Sequence, residues 1–328
     1  MGICNSKEAY ITSPKVDKNM SNFNNSVNTV ITNIRNRTNE TVEDVKEFAD
    51  DVKDVTIEIT DGVKDLVEDV SAFVKRSFGA IKSKIPKDQL KASQYYARNK
   101  LAGINELPKR VDFRKDLFPV RDQGQIGSCV AQACACIKEY QEFIETGKKM
   151  PYSVQFIYDL RGNRKIRGMT EGMTGYDAMT ILLTRGACFE NSYPYGRSLE
   201  PNTIPKQIFD EAYRFRTQQF MYIDSIDSLK QALCREGPCL AIMPVYGAYE
   251  SVEFWKPTQN AKRMTGYHAV AIVGYFDDFQ DTSNNGFLVR NSWSSNWGDN
   301  GYAVLKYSDC SFGKCPAEVW STIDAPNT

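Results

Sequence analysis

From residue 107 onward, helix-like spacing comes first and strand-like spacing second, and this order constrains the fold more than any other feature of the chain. Apolar residues recur at three- and four-residue intervals over Ser128 to Thr146, Ser153 to Leu160 and Gly175 to Arg185. Short apolar or alternating runs follow at Gln218 to Ile223, Cys239 to Pro244, His268 to Tyr275, Gly286 to Asn291 and Gly301 to Tyr307. Helices first and strands later predict an α+β domain with two lobes, one helical and one built on a curled sheet. A cleft between lobes is the expected place for a site. The longest apolar run, Ala269 to Gly274, falls far below the roughly 18 residues that a membrane span needs.

The chain before this domain divides in two. Residues 1–38 are polar and rich in Asn, Ser and Thr, as a flexible tether is. Residues 39–106 carry Val42, Val45, Ala49, Val52, Val55, Ile59, Val63, Leu66, Val70 and Phe73 at helical spacing, so an amphipathic helical extension or pro-segment is expected. From Glu40 to Asp69 there are 12 acidic and 3 basic residues, and from Lys75 to Lys115 there are 12 basic and 3 acidic. Each run reads either as a solvated helix face or as a contact between opposite charges. Over the whole chain 41 Lys and Arg balance 41 Asp and Glu, so a global basic field for nucleic acid is absent.

Met1-Gly2-Ile3-Cys4-Asn5-Ser6 fits the N-myristoylation pattern at Gly2. Cys4 stands where a second acyl chain is often added, and one myristoyl chain alone anchors only marginally. Association with a membrane surface through Gly2 and Cys4 is therefore expected. The nine cysteines are odd in number, and the first twenty residues hold no apolar leader. Both point to an intracellular, reducing compartment with free thiols.

The chain has one histidine, His268, which opens an apolar strand. A lone histidine builds no His-rich metal site, and neither a metal nor an organic cofactor is expected. If the protein uses an imidazole base, His268 is that base. The candidate nucleophile is Cys129, where Asp122-Gln-Gly-Gln-Ile-Gly-Ser-Cys129 leads into a helical run. A helix N-terminus favours thiolate. Cys134 and Cys136, further along the same run, read as buried structural residues. Asn291 can fix the tautomer of an imidazole. His268 follows Cys129 by 139 residues and Asn291 follows it by 162. This spacing resembles the papain-type signature, in which His and Asn follow the nucleophile by roughly 130–150 residues, and the loop Phe276 to Asn285 accounts for the excess. Trp255, Tyr246 and Tyr249 read as core more than as cleft wall.

Three motifs in order, Gln123-Gly…Gly127-Ser-Cys129, Tyr267-His268-Ala-Val-Ala-Ile-Val-Gly-Tyr275 and Asn291-Ser-Trp293…Trp297-Gly298…Gly301-Tyr302, resemble those of papain-family cysteine peptidases. Tyr193-Pro-Tyr195 resembles a family tripeptide, and the likeness covers residues 107–328. It implies a papain-like two-lobe fold and hydrolysis of protein or peptide substrates. Cys129 would form a thioester acyl-enzyme, with His268 as base and then acid and Asn291 orienting it. Trp293 would shield that hydrogen bond. The side chain of Gln123 and the backbone N–H of Cys129 would hold the oxyanion. Glu171-Gly-Met-Thr-Gly175 is similar to the family's substrate-binding strand. Ile126 replaces a disulfide cysteine usual in the family, and Val130 replaces an aromatic residue. Both departures resemble intracellular members from bacteria and large DNA viruses such as invertebrate iridescent viruses. Family pro-segments make residues 39–106 a candidate restraint, although their usual Glu, Arg, Phe and Asn spacing is not evident. The same site in an exopeptidase or transpeptidase is a second reading. The alternative from another class is a catalytically idle papain fold serving as a membrane-associated structural or virion component.

Overall fold

A computed structural model describes residues 79–99, 107–162, 172–246, 251–259 and 261–324. The proposed tether, the acylation residues Gly2 and Cys4, and residues 39–78 of the extension lie outside the described residues, as do Glu171 and Tyr249. What is described of the extension is the short strand β1 (Ala80–Ile81), an extended stretch, and the helix α1 (Ala92–Arg98).

The helices expected from spacing follow. They are α2 (Cys129–Thr146), α3 (Val154–Asp159) and, after the short strand β3 (Met173–Thr174), α4 (Gly175–Thr184). Helix α2 is buried almost all round along its first two and a half turns, which only a central helix tolerates. Ala131, Ala133 and Ala135 keep it thin enough to pack on every side. It stops at Gly147, whose φ of 70° is the left-handed conformation that a helix C-terminus uses.

Two elements absent from the sequence expectation come next, α5 (Lys206–Tyr213) and α6 (Ile226–Arg235). Helix α6 opens on a reciprocal cap between Ser225 and Ser228. The strands are β2 (Arg110–Asp112), β4 (Thr217–Tyr222), β5 (Cys239–Val245), β6 (Gly266–Phe276), β7 (Gly286–Arg290), β8 (Tyr302–Lys306) and β9 (Glu318–Asp324).

Strand β6 is the spine. The sheet runs β3-β1-β6-β5-β9-β4, and β2 and β7 also pair with β6, so the sheet branches and curls there. Alternation puts Ala269, Ala271 and Val273 of β6 against α2, and Val270, Ile272 and Tyr275 into a second core. Strand β5 divides in the same way, with Leu240 and Ile242 in the first core and Ala241, Met243 and Val245 in the second. Burial on both faces explains why these strands read as continuous apolar runs. Trp255 is buried in the second core beside Phe254, as expected. The fold is α+β with helices preceding strands, as the spacing predicted.

Candidate active site

Cys129 is the first residue of α2 and is buried. His268 lies on β6, paired with Met243 of β5. The backbone N–H of Ala269, the next residue on β6, donates to Cys129 Sγ at 3.4 Å. The central helix and the central strand therefore bring thiol and imidazole to one place. Asn291, just past β7, accepts from His268 Nε2 at 2.8 Å and from the backbone N–H of Ser292 at 2.8 Å. With Nε2 directed at Asn291, Nδ1 is the ring nitrogen left for the thiol.

An aromatic cage encloses this pair. Trp293 stacks on His268 with centroids 4.4 Å apart and 27° between planes. Phe254 meets the imidazole edge-on at 5.5 Å, and Trp297 meets Trp293 at 90°. The cage excludes water from the His268–Asn291 hydrogen bond, and low polarity strengthens it.

Gln123 arrives from the loop before α2, which is bridged to the loop after β7. The Gln123 backbone N–H donates to Ser292 O at 2.9 Å, Ser294 N–H donates to Arg121 O at 3.0 Å, and Asp122 bridges to Trp293. The Gln123 side chain is aimed at both ends. Ser292 Oγ donates to its Oε1 at 2.6 Å, and its Nε2 donates to Ile126 O at 3.0 Å. One Nε2 proton thus serves the loop, and an amide nitrogen carries two. Tyr195 donates to Gln123 O at 2.9 Å and lies 2.6 Å from Ser128 Oγ, pinning the loop next to Cys129. Sequence reasoning missed Ser292, although it sits within the Asn-Ser-Trp motif.

The described end of the extension lies across the thiol. The backbone N–H of Gly79 lies by the Cys129 sulfur and favours its thiolate. Gly79 O accepts from Met173 N–H at 2.7 Å. β1 pairs in parallel with β3, and Ala80 pairs with Tyr267 on β6. A Cβ on Gly79 would stand 2.0 Å from Gly127 O, so only glycine fits so near the loop before Cys129. Residues Gly172 to Thr174, expected to bind an extended peptide, hold this strap.

Burial pushes the Cys129 thiol up to about 11, and the neighbouring backbone N–H groups, that of Ala269 first, offset this only in part. The expectation of a lowered thiol pKa at the helix N-terminus is corrected for this state. Desolvation under the strap outweighs the dipole. Cys134, Cys136 and Cys239 are buried and likewise raised, chiefly by desolvation. All eight cysteines among the described residues are free thiols.

The comparisons agree with this geometry. A family model described as papain family cysteine protease matches residues 107–319. Procathepsin L of Mus musculus is 30% identical over 235 residues, covering 67% of this chain and 66% of its own. A cathepsin L-like peptidase of Aedes aegypti is 30% identical over 233 residues, covering 64% of this chain and 63% of its own. The chain thus spans just under two thirds of the length of these curated relatives. Xylellain, a cysteine protease from Xylella fastidiosa, superposes with a TM-score of 0.61 at 26% identity, covering 76% of this chain and 97% of its own. The chain belongs to the papain family of cysteine proteases.

Proposed function

We propose that the protein is a cysteine endopeptidase held latent by its own residues 79–83. The observation that carries the catalytic reading is the line Cys129–His268–Asn291, built from the first turn of α2, β6 and the loop after β7. His268 Nδ1 takes the thiol proton, and the thiolate attacks the carbonyl carbon of a peptide bond. Negative charge collects on the carbonyl oxygen, where the second Gln123 Nε2 proton and the Cys129 backbone N–H would receive it. His268 then protonates the leaving amine, and a thioester remains. Water, deprotonated by His268, attacks the thioester and restores the thiol. Throughout, Asn291 accepts from Nε2 and keeps the imidazole in plane.

Latency rests on the strap. The backbone of Gly79 lies beside the thiol, and β1 uses the edge of β3 that a substrate strand needs. The same cover favours the second reading, an idle papain fold, so one experiment addresses both. Full-length wild type, Gly79→Ala and Cys129→Ala are treated with an epoxide probe of thiol proteases and with a mixed-sequence protein substrate. Latency predicts labelling at Cys129 and hydrolysis in Gly79→Ala, little of either in wild type, and none in Cys129→Ala. A folded Gly79→Ala chain that neither labels nor cleaves would make the idle fold the better reading. Hydrolysis products with internal cut sites support an endopeptidase, and trimmed ends an exopeptidase.

We also propose membrane attachment through acylated Gly2 and Cys4. The Met-Gly-Ile-Cys-Asn-Ser start supports it. Intact mass after expression in eukaryotic cells tests it, and an unacylated wild type identical in mass to its processed Gly2→Ala counterpart, allowing for the substitution, overturns it. The iridescent-virus likeness and a virion role rest on Ile126 and Val130 alone.

A further inference from the structure

Gln132 is an amide on a deeply buried stretch of α2. It lies one turn beyond Cys129, is 5% exposed, and has only small or apolar neighbours on its helix from Val130 to Cys136. An amide in such a place is costly unless it is hydrogen-bonded. The Tyr195 hydroxyl lies beside it without completing a hydrogen bond, and neither Oε1 nor Nε2 of Gln132 reaches another protein group.

A second buried amide has one end in the same position. Asn291 is 3% exposed. The backbone N–H of Ser292 can only donate, so the Asn291 atom that meets it is Oδ1 and the other end is Nδ2. Nδ2 is buried and has no hydrogen-bond partner in the protein. Gln132 and Asn291 line one small cavity between α2, β6 and the residues after β7. Its volume is about 10 Å³, the size of a single water site. Arg121 and Arg290 line it as well, but Arg121 pairs with Glu139, and Arg290 donates to Phe118 O, Pro119 O and the Tyr302 hydroxyl. With those guanidinium groups engaged, a small molecule in the cavity meets the donor Asn291 Nδ2 and the acceptor Gln132 Oε1. The first needs an acceptor and the second a donor, and a water is both.

We propose that one buried water accepts from Asn291 Nδ2 and donates to Gln132 Oε1, which makes Gln132 a positioning residue for Asn291. The amide that faces His268 is then fixed at both ends, by the Ser292 N–H at Oδ1 and by the water at Nδ2. The proposal rests on the peptidase reading.

The test uses four full-length chains in the Gly79→Ala background, with Gln132 or Gln132→Met, each combined with Asn291 or Asn291→Ala. Methionine keeps the length of the side chain and removes its amide. Each chain is titrated with the epoxide probe, and turnover of a peptide substrate is read per competent Cys129. The labelling rate at Cys129 is read alongside and serves where turnover is slow. With Asn291 present, Gln132→Met is expected to lower kcat about fivefold at unchanged KM, the scale of one neutral hydrogen bond. With Asn291→Ala it is expected to change nothing, because the group it positions is gone. Equal losses in both backgrounds, or no loss in either, overturn the proposal and leave the peptidase reading intact. A crystal structure of the wild-type chain is expected to show a water within hydrogen-bond distance of Asn291 Nδ2 and Gln132 Oε1, and an empty cavity overturns the proposal. Folded Gly79→Ala chains that neither label nor cleave overturn the peptidase reading and this proposal with it.

Discussion

Asn291 Oδ1 accepts two donors at once, from His268 Nε2 and from the Ser292 backbone, so the amide is held as firmly as the imidazole it faces. Ser292 then reaches the other way, its hydroxyl fixing Gln123 Oε1. One residue thus ties the orientation of the base to that of the proposed oxyanion donor. In the strap-released Gly79→Ala background, Gln123→Ala is expected to lower kcat by roughly 10²–10³-fold with KM little changed, as loss of a donor used only in the transition state does. Ser292→Ala removes one neutral hydrogen bond, worth about 1 kcal/mol, and should cost roughly fivefold in kcat. Ser292→Thr, which keeps the hydroxyl, should restore it. Steady-state kinetics on a peptide substrate check both variants. An Ser292→Ala enzyme with unchanged kcat would mean that Gln123 needs no such support.

At the scale of elements, the strap and the thiol are linked. With the strap in place the thiol titrates at about 11, against an ordinary value of 9.0. The closed state therefore holds its proton, and its advantage is complete below the ordinary value. As pH rises from there through about 11, deprotonation favours the open state by up to tenfold per unit. Alkylation of Cys129 by a small neutral reagent in the wild-type chain should rise steeply toward pH 11. Gly79→Ala, whose Cβ is incompatible with Gly127 O, should shift the profile to lower pH by one unit or more. Mass-spectrometric rates at Cys129 over a pH series decide, and superimposable profiles would show that the strap does not control the thiol.

For the molecule as a whole, the helical core and the sheet are joined at α2. Lys138, fully buried on α2, pairs with Glu142 at 2.8 Å and with Asp324, the last residue of β9, at 2.6 Å. Gln141, on the same helix, donates to Thr322 O at 2.9 Å. Lys138→Ala leaves buried Glu142 and partly buried Asp324 without their cation, beside exposed Glu145, and should cost about 3 kcal/mol. Urea unfolding monitored by tryptophan fluorescence checks this, as a lowered midpoint at unchanged slope. A loss below 1 kcal/mol would mean that water reaches the site and replaces the cation.

Local order is legible in the amino-acid sequence. Hydrophobic spacing marked α2, α3, α4 and five strands to within a few residues, because each buries a regular face or both faces. The motifs around Cys129, His268 and Asn291 were readable because backbone geometry there demands particular residues at short range. Helices α5 and α6 bury only narrow faces, and β9 alternates too briefly, so none of them stands out as a hydrophobic period. Other features belong to tertiary structure alone. Ser292 aims Gln123 across a separation of 169 residues, and Ser83 meets Glu318 across 235. No local period encodes such pairings. The thiol's raised pKa is of the same kind. The sequence places Cys129 at a helix N-terminus, where a dipole favours thiolate. Only the folded chain lays Gly79 over it, and the loss of water there outweighs the dipole.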